Sequence, residues 1–114
     1  MTRRFLLLVL LVAGCAKGPE ADLQYIGEAR SLGAEWALVN EQAAGGRLTS
    51  HYTATMRQNI REQLQTTRTS LTRPDSRYGA EIQALLEQPD NAAPAELRAH
   101  ADRLKTIEDG LESA

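Results

Sequence analysis

The sequence predicts an all-α fold, a small antiparallel helical hairpin or bundle of three to four helices, and three observations carry that expectation. Long stretches of Ala, Leu, Glu, Gln and Arg, all good helix formers, are interrupted only by short clusters rich in Gly and Pro. Within each stretch the apolar residues recur every three or four positions, which gathers them on one side of a helix. Consecutive β-branched residues are almost absent. The interruptions are AGG at residues 44–46, TRPDS at 72–76 and QPDNAAP at 88–94, and they place helices at about 19–44, 48–72, 76–88 and 94–110.

The segment ahead of the first helix is different in kind. Arg3 and Arg4 precede an uninterrupted apolar run at residues 5–13 that has no polar face, unlike an amphipathic core helix. The run is also far shorter than the roughly 20 residues that cross a bilayer. A positive stretch, a short apolar stretch and the small residues Ala13 and Gly14 together have the layout of an export signal.

Its end, VAGC at residues 12–15, resembles the lipobox of bacterial lipoproteins: an aliphatic residue, two small ones and a cysteine. The resemblance implies cleavage between Gly14 and Cys15 and a lipidated, acylated Cys15 as the first mature residue. It thereby implies a signal peptide at residues 1–14, a lipidated tether at 15–18 and a helical domain at 19–114. Several fatty chains, each buried methylene adding about 0.8 kcal/mol, make release from the bilayer very slow. Cys15 is the only cysteine, so no intramolecular disulfide can form in any compartment. Ala16 follows it, where an Asp tends to mark retention in the inner membrane of such lipoproteins. The periplasmic face of the outer membrane is the location this implies.

The helices follow in order. Pro19 suits the first turn of the first helix, and Glu20 and Asp22 suit the positive end of its dipole. At about 100° per residue Tyr25, Ala29, Leu32, Gly33, Trp36, Val39 and Ala43 share one face, with Ile26 at its margin. Ala29, Gly33 and Ala37 form a smooth strip along which another helix can come close. In the second helix Leu48, Tyr52, Met56, Ile60 and Leu64 recur every four residues, and Thr67 and Leu71 continue that side. Each four-residue step advances about 40°, so the stripe winds and its two ends face different neighbours. Asn59 and Gln63 lie in or near it, which makes the seam polar. Tyr78, Ile82, Leu85 and Leu86 mark a short third helix. Leu97, Ala101, Leu104, Ile107 and Leu111 mark the last, with His100 in the same sector and Gly110 placed to end it or loosen its final turn.

Charge is distributed in three blocks: residues 19–44 are acidic, 47–77 basic through six arginines against Glu62 and Asp75, and 78–114 acidic. The expectation is that the acidic blocks pair with the basic one in an antiparallel hairpin, each exposed pair contributing about 0.2–1 kcal/mol. Nucleic acid is not an expected partner of an exported chain.

No residue pattern points to catalysis. His51 lies off the stripe of the second helix and need not converge with His100, and no His or Cys spacing suits a metal. No nucleophile elbow, phosphate-cradling glycine run or singled-out carboxylate pair is present, so neither cofactor nor small-molecule substrate is expected. The modest apolar content, 21 large side chains after residue 14, leaves a chain of this size near balance against ordering entropy. A partner would help to stabilise it. The expectation is therefore a membrane-anchored, non-catalytic module that binds an envelope protein or itself, with Tyr52, Met56, Asn59, Gln63 and His100 as its partner surface. The alternative is an immunity, exclusion or inhibitor lipoprotein that masks an enzyme or toxin.

Overall fold

Prolines and side-chain hydroxyls set where the helices begin. In the computed structural model, which describes residues 18–114, α1 spans Pro19–Ala44, α2 Ser50–Thr69, α3 Arg77–Leu86 and α4 Pro94–Glu112. Pro19 and Pro94 stand in the first turns of α1 and α4, where an amide proton would have no helical acceptor. The Thr49 hydroxyl accepts the Tyr52 amide and the Ser76 hydroxyl accepts the Gly79 amide, each at 3.1 Å, and these bonds cap α2 and α3. The described chain is all-helical, a small bundle as its sequence predicts. Gly14, Cys15 and the segment before them lie outside the described residues.

The observed boundaries differ from the expected ones for local reasons. α2 stops at Thr69 because Thr69 and Ser70 turn their hydroxyls back onto the Thr66 carbonyl and the chain leaves the helix. That exit delivers Leu71 to the core. α3 stops at Leu86, and the carbonyls of Leu86 and Gln88 turn to the Arg61 side chain. α4 runs through Gly110 to Glu112, since Gly110 keeps a negative φ and open space around it.

Tertiary packing is organised around α1. It lies most extensively along α4, then along α2, while α2 and α4 do not meet, and α3 bridges the two with a light touch on α1. Ile26, Trp36, Ile60, Leu64, Ile82 and Leu104 are buried almost completely, each such side chain contributing about 1.5–3 kcal/mol. Ile26, expected at the margin of its face, belongs to the centre because three helices rather than one enclose α1. The small strip does admit a close neighbour: a β-carbon on Gly33 would stand 3.2 Å from Leu85 and 3.5 Å from Ala101.

On α2 the buried seam is Thr53, Ile60, Leu64 and Thr67, with Met56 partly buried against the core. Tyr52 is not in it; the residue is 51% exposed. A strict four-residue repeat drifts off the side that a straight neighbour can cover, so the seam mixes three- and four-residue steps instead.

A buried carboxylate holds the loop between α2 and α3. Asp22 accepts hydrogen bonds from the Thr72 amide (2.9 Å), the Thr72 hydroxyl (3.0 Å), the Arg73 amide (3.2 Å) and the Tyr78 hydroxyl (2.6 Å). Burial opposes ionisation of this carboxyl, but the four donors outweigh it and hold its pKa below the ordinary 3.8. Burial, then the bond to Asp22, push the Tyr78 phenol above its ordinary 10.0, so it remains a donor.

Three expectations follow from this packing. Asp22→Ala strands buried donors and should cost about 2–4 kcal/mol in urea unfolding. With the folded-state pKa depressed, the contribution of Asp22 is complete above the ordinary carboxylate value of 3.8 and is lost as pH falls through the folded value. Acid titration of the wild type should therefore show a stability loss below about pH 4 that the Asp22→Ala variant lacks. Gly79→Ala should unfold the start of α3 or destabilise the protein by about 3 kcal/mol or more, because its β-carbon would collide with the Pro74 carbonyl; circular dichroism and urea melts read both.

Candidate functional site

Packing α1 against α2 leaves a groove open to solvent along one side of the pair. The helices run antiparallel, as the Arg57 Nε to Asn40 Oδ1 bond (2.9 Å) and the Thr67 hydroxyl to Glu28 contact (3.5 Å) require. The groove encloses about 840 Å³, with Gly27, Glu28 and Ser31 on its α1 wall and Asn59, Gln63 and Thr66 on its α2 wall. Asn59 and Gln63 are exposed, and neither amide makes a side-chain hydrogen bond among the described residues. Each offers two donors and an acceptor to whatever enters. Glu28 and Glu62 add negative charge, whereas Arg30 is taken by Glu108 at 3.0 Å.

Four of the five residues expected at a partner surface therefore share one side of α2. Asn59 and Gln63 line the groove, and Met56 and half-exposed Tyr52 continue that side toward the start of the helix. The fifth does not join them. His100 is 7% exposed on α4, a helix that makes no contact with α2.

His100 belongs instead to a closed cluster between α3 and α4. Its Nδ1 lies 2.7 Å from Glu81 Oε2, and the other Glu81 oxygen accepts the Arg103 Nε at 2.5 Å. Arg103 Nη2 is 3.1 Å from the same Nδ1. When Nδ1 carries the proton and donates to Glu81, the guanidinium is held by the carboxylate rather than by the ring. Glu81 and Arg103 thus neutralise each other in the shallow hollow of about 340 Å³ that they line. His51 is exposed at the start of α2, away from this cluster. No three His, Cys, Asp or Glu side chains among the described residues are grouped as a metal ion requires.

The basic block does not act as its charge suggests. Of its arginines only Arg61 forms an ion pair with an acidic block, to Asp90 at 2.8 Å, and the other cross-helix pairs join the two acidic blocks to each other or lie within the last one. Arg30 with Glu108 and Arg98 with Glu41 link α1 to α4, and Glu81 links α3 to α4. Arg61 lies 4.9 Å over the Trp36 ring and donates to the carbonyls of Leu86 (2.6 Å) and Gln88 (3.0 Å). Trp36 Nε1 and Asn40 Nδ2 each donate to the Asp90 carbonyl at 3.0 Å, and Asn40 also reaches the Ala92 carbonyl at 2.8 Å. Side chains of α1 and α2 thereby satisfy the backbone of the α3–α4 loop.

Sequence reasoning missed this polar network. The available signal was that Trp36 and Asn40, like Arg57 and Arg61, sit one turn apart on facing helices. Comparison with known proteins adds no relative: no family model, curated protein or solved structure matches the chain.

The two groups of residues should respond differently to truncation. Asn59→Ala and Gln63→Ala should each leave stability within about 0.5 kcal/mol of the wild type, since the wall they form is not part of the packing. Arg61→Ala should cost about 2 kcal/mol, because it uncovers Trp36 and strands two loop carbonyls. Urea unfolding of the three variants separates the groove wall from the scaffold.

Proposed function

We propose that this protein is a lipid-anchored, non-catalytic module of the bacterial cell envelope, held at the periplasmic face of the outer membrane through acylated Cys15. It binds an envelope protein along the groove between α1 and α2. The observation that carries the binding reading is the wall itself: two amides on adjacent turns, Asn59 and Gln63, exposed beside an open groove and unused by the fold. Amide side chains stranded on a helix surface do little for stability, but they suit a partner's polar backbone and side chains. Half-exposed Tyr52 supplies an aromatic anchor at one end of the same side.

Catalysis has less support. The buried acids are already engaged, Asp22 by four donors and Glu108 by Arg30, and half-buried Glu81 is held by His100 and Arg103, so none stands free to take a proton from a substrate. One feature favours the second reading, an immunity, exclusion or inhibitor lipoprotein: Glu28 and Glu62 make the groove acidic, which would suit the basic surface of an enzyme or toxin.

Photocrosslinking in living cells tests the proposal. A crosslinker replacing Gln63 should give a discrete adduct with an envelope protein, and one replacing Asp102, exposed on α4, should not. An adduct formed only when a secreted enzyme is supplied would favour the inhibitor reading, and absence of any adduct at Gln63 and Asn59 would overturn the groove as a binding surface. Mass spectrometry of the native product should show fatty acids on Cys15 and no Met1; Cys15→Ser should abolish both acylation and membrane retention.

A further inference from the structure

The start of α1 is clamped to the rest of the bundle. Gly18 takes φ 76° and ψ −153°, a conformation strained for any residue with a β-carbon. Its carbonyl accepts the Thr72 hydroxyl at 3.1 Å, and one turn later Asp22 holds the amides of Thr72 and Arg73. Arg73 lies against Gly18, two of its guanidinium nitrogens 3.6 Å from where a β-carbon would stand. The point at which the chain enters the bundle and the exposed loop at residues 72–75 are therefore one surface.

Arg77, exposed in the first turn of α3, adjoins that loop. Neither Arg73 nor Arg77 has an ion-pair partner among the described residues. Asp75 is the one acid within the loop. Exposed Glu20, two residues past Gly18, shares this surface, whereas Asp109 and Glu112 sit on α4 and Asp109 is paired with Lys105 at 3.3 Å. An anionic surface would attract the loop and repel the end of α4.

We infer that this surface, with Arg73 beside the chain entry and Arg77 at its edge, docks on anionic phospholipid headgroups of the bilayer that holds Cys15. The inference rests on the lipid-anchor reading above. Three Cα-to-Cα steps separate Cys15 from Gly18, a reach of about 10 Å when extended. The headgroup layer on each side of a bilayer is about 5–8 Å deep, so an acylated Cys15 brings Gly18 and the adjacent Arg73 to phosphate level. Planar guanidinium groups bind phosphate oxygens in pairs. The bundle is thereby held by its α2–α3 loop as well as by its acyl chains. The loop between α1 and α2 points away from the membrane, and the groove between those helices stays open to the periplasm.

Reconstitution of the full lipidated protein tests this. Acylation occupies the only native thiol, so Asp75→Cys provides a single site for a nitroxide, and Arg47→Cys provides one at the far end of α1. In vesicles of phosphatidylcholine mixed with phosphatidylglycerol, the label at 75 should be shielded from a water-soluble relaxing agent and the label at 47 should not. In phosphatidylcholine alone the shielding should fall, each arginine favouring the docked population by about fivefold. Arg73→Gln with Arg77→Gln in the labelled protein should remove the lipid dependence while circular dichroism stays unchanged. Equal exposure of labels 75 and 47 in anionic vesicles would overturn the inference. So would shielding that is the same in neutral vesicles or survives the glutamines, since the tether alone would then account for it. A product whose mass lacks fatty acids before reconstitution defeats the anchor reading instead.

Discussion

The fold depends on α1 carrying polar side chains into its own buried face and aiming each at a loop. Asp22 near one end takes two amides and two hydroxyls of the α2–α3 connection and its neighbour Tyr78, and Asn40 near the other end takes two carbonyls of the α3–α4 connection. Buried backbone groups left without partners cost about 1–3 kcal/mol each. A chain with so little apolar surface has few ways to offset that. A purely apolar α1 would leave the Thr72 and Arg73 amides and the Ala92 carbonyl without these partners.

Those anchor points also decide where polar side chains are left without a partner. With the α2–α3 loop bound through Asp22 and the α3–α4 loop through Trp36, Asn40 and Arg61, the polar groups on the side of α1 that faces the loops are consumed. The opposite side of the α1–α2 pair has no loop to satisfy, and the Asn59 and Gln63 amides remain unpaired at the groove, while the Thr66 and Thr67 hydroxyls are bonded to Glu62 and Glu28.

Electrostatics is secondary to packing in choosing neighbours. α1 and α4 both come from acidic blocks, yet they form the most extensive contact in the bundle. Apolar burial along Ala29, Gly33 and Ala37 outweighs a diffuse repulsion between exposed carboxylates, which water and salt screen strongly. Local pairs such as Arg98 with Glu41, both half exposed, then contribute only about 0.2–1 kcal/mol. Arg61 shows the opposite case, where one arginine combines a ring contact, two carbonyl bonds and a carboxylate and so acts as a structural joint.

Much of the architecture was legible in the order of residues. Breaks at glycine and proline, the apolar side of α1 around Trp36, and the start of α1 and α4 at prolines all follow from local rules, because backbone preference and helical period act within a few residues. The direction of Asn59 and Gln63 on α2 was legible for the same reason. What only the tertiary structure decided is which side chain meets which across helices. Registering α1 against α2 set Arg61 over Trp36, seating the α2–α3 loop under α1 turned Asp22 from a dipole partner into a buried acceptor, and docking α3 on α4 closed Glu81 over His100. Helical periodicity says how a side chain leaves its own axis and nothing about the sliding of one axis along another, and these partners lie 19 to 56 positions apart in the chain.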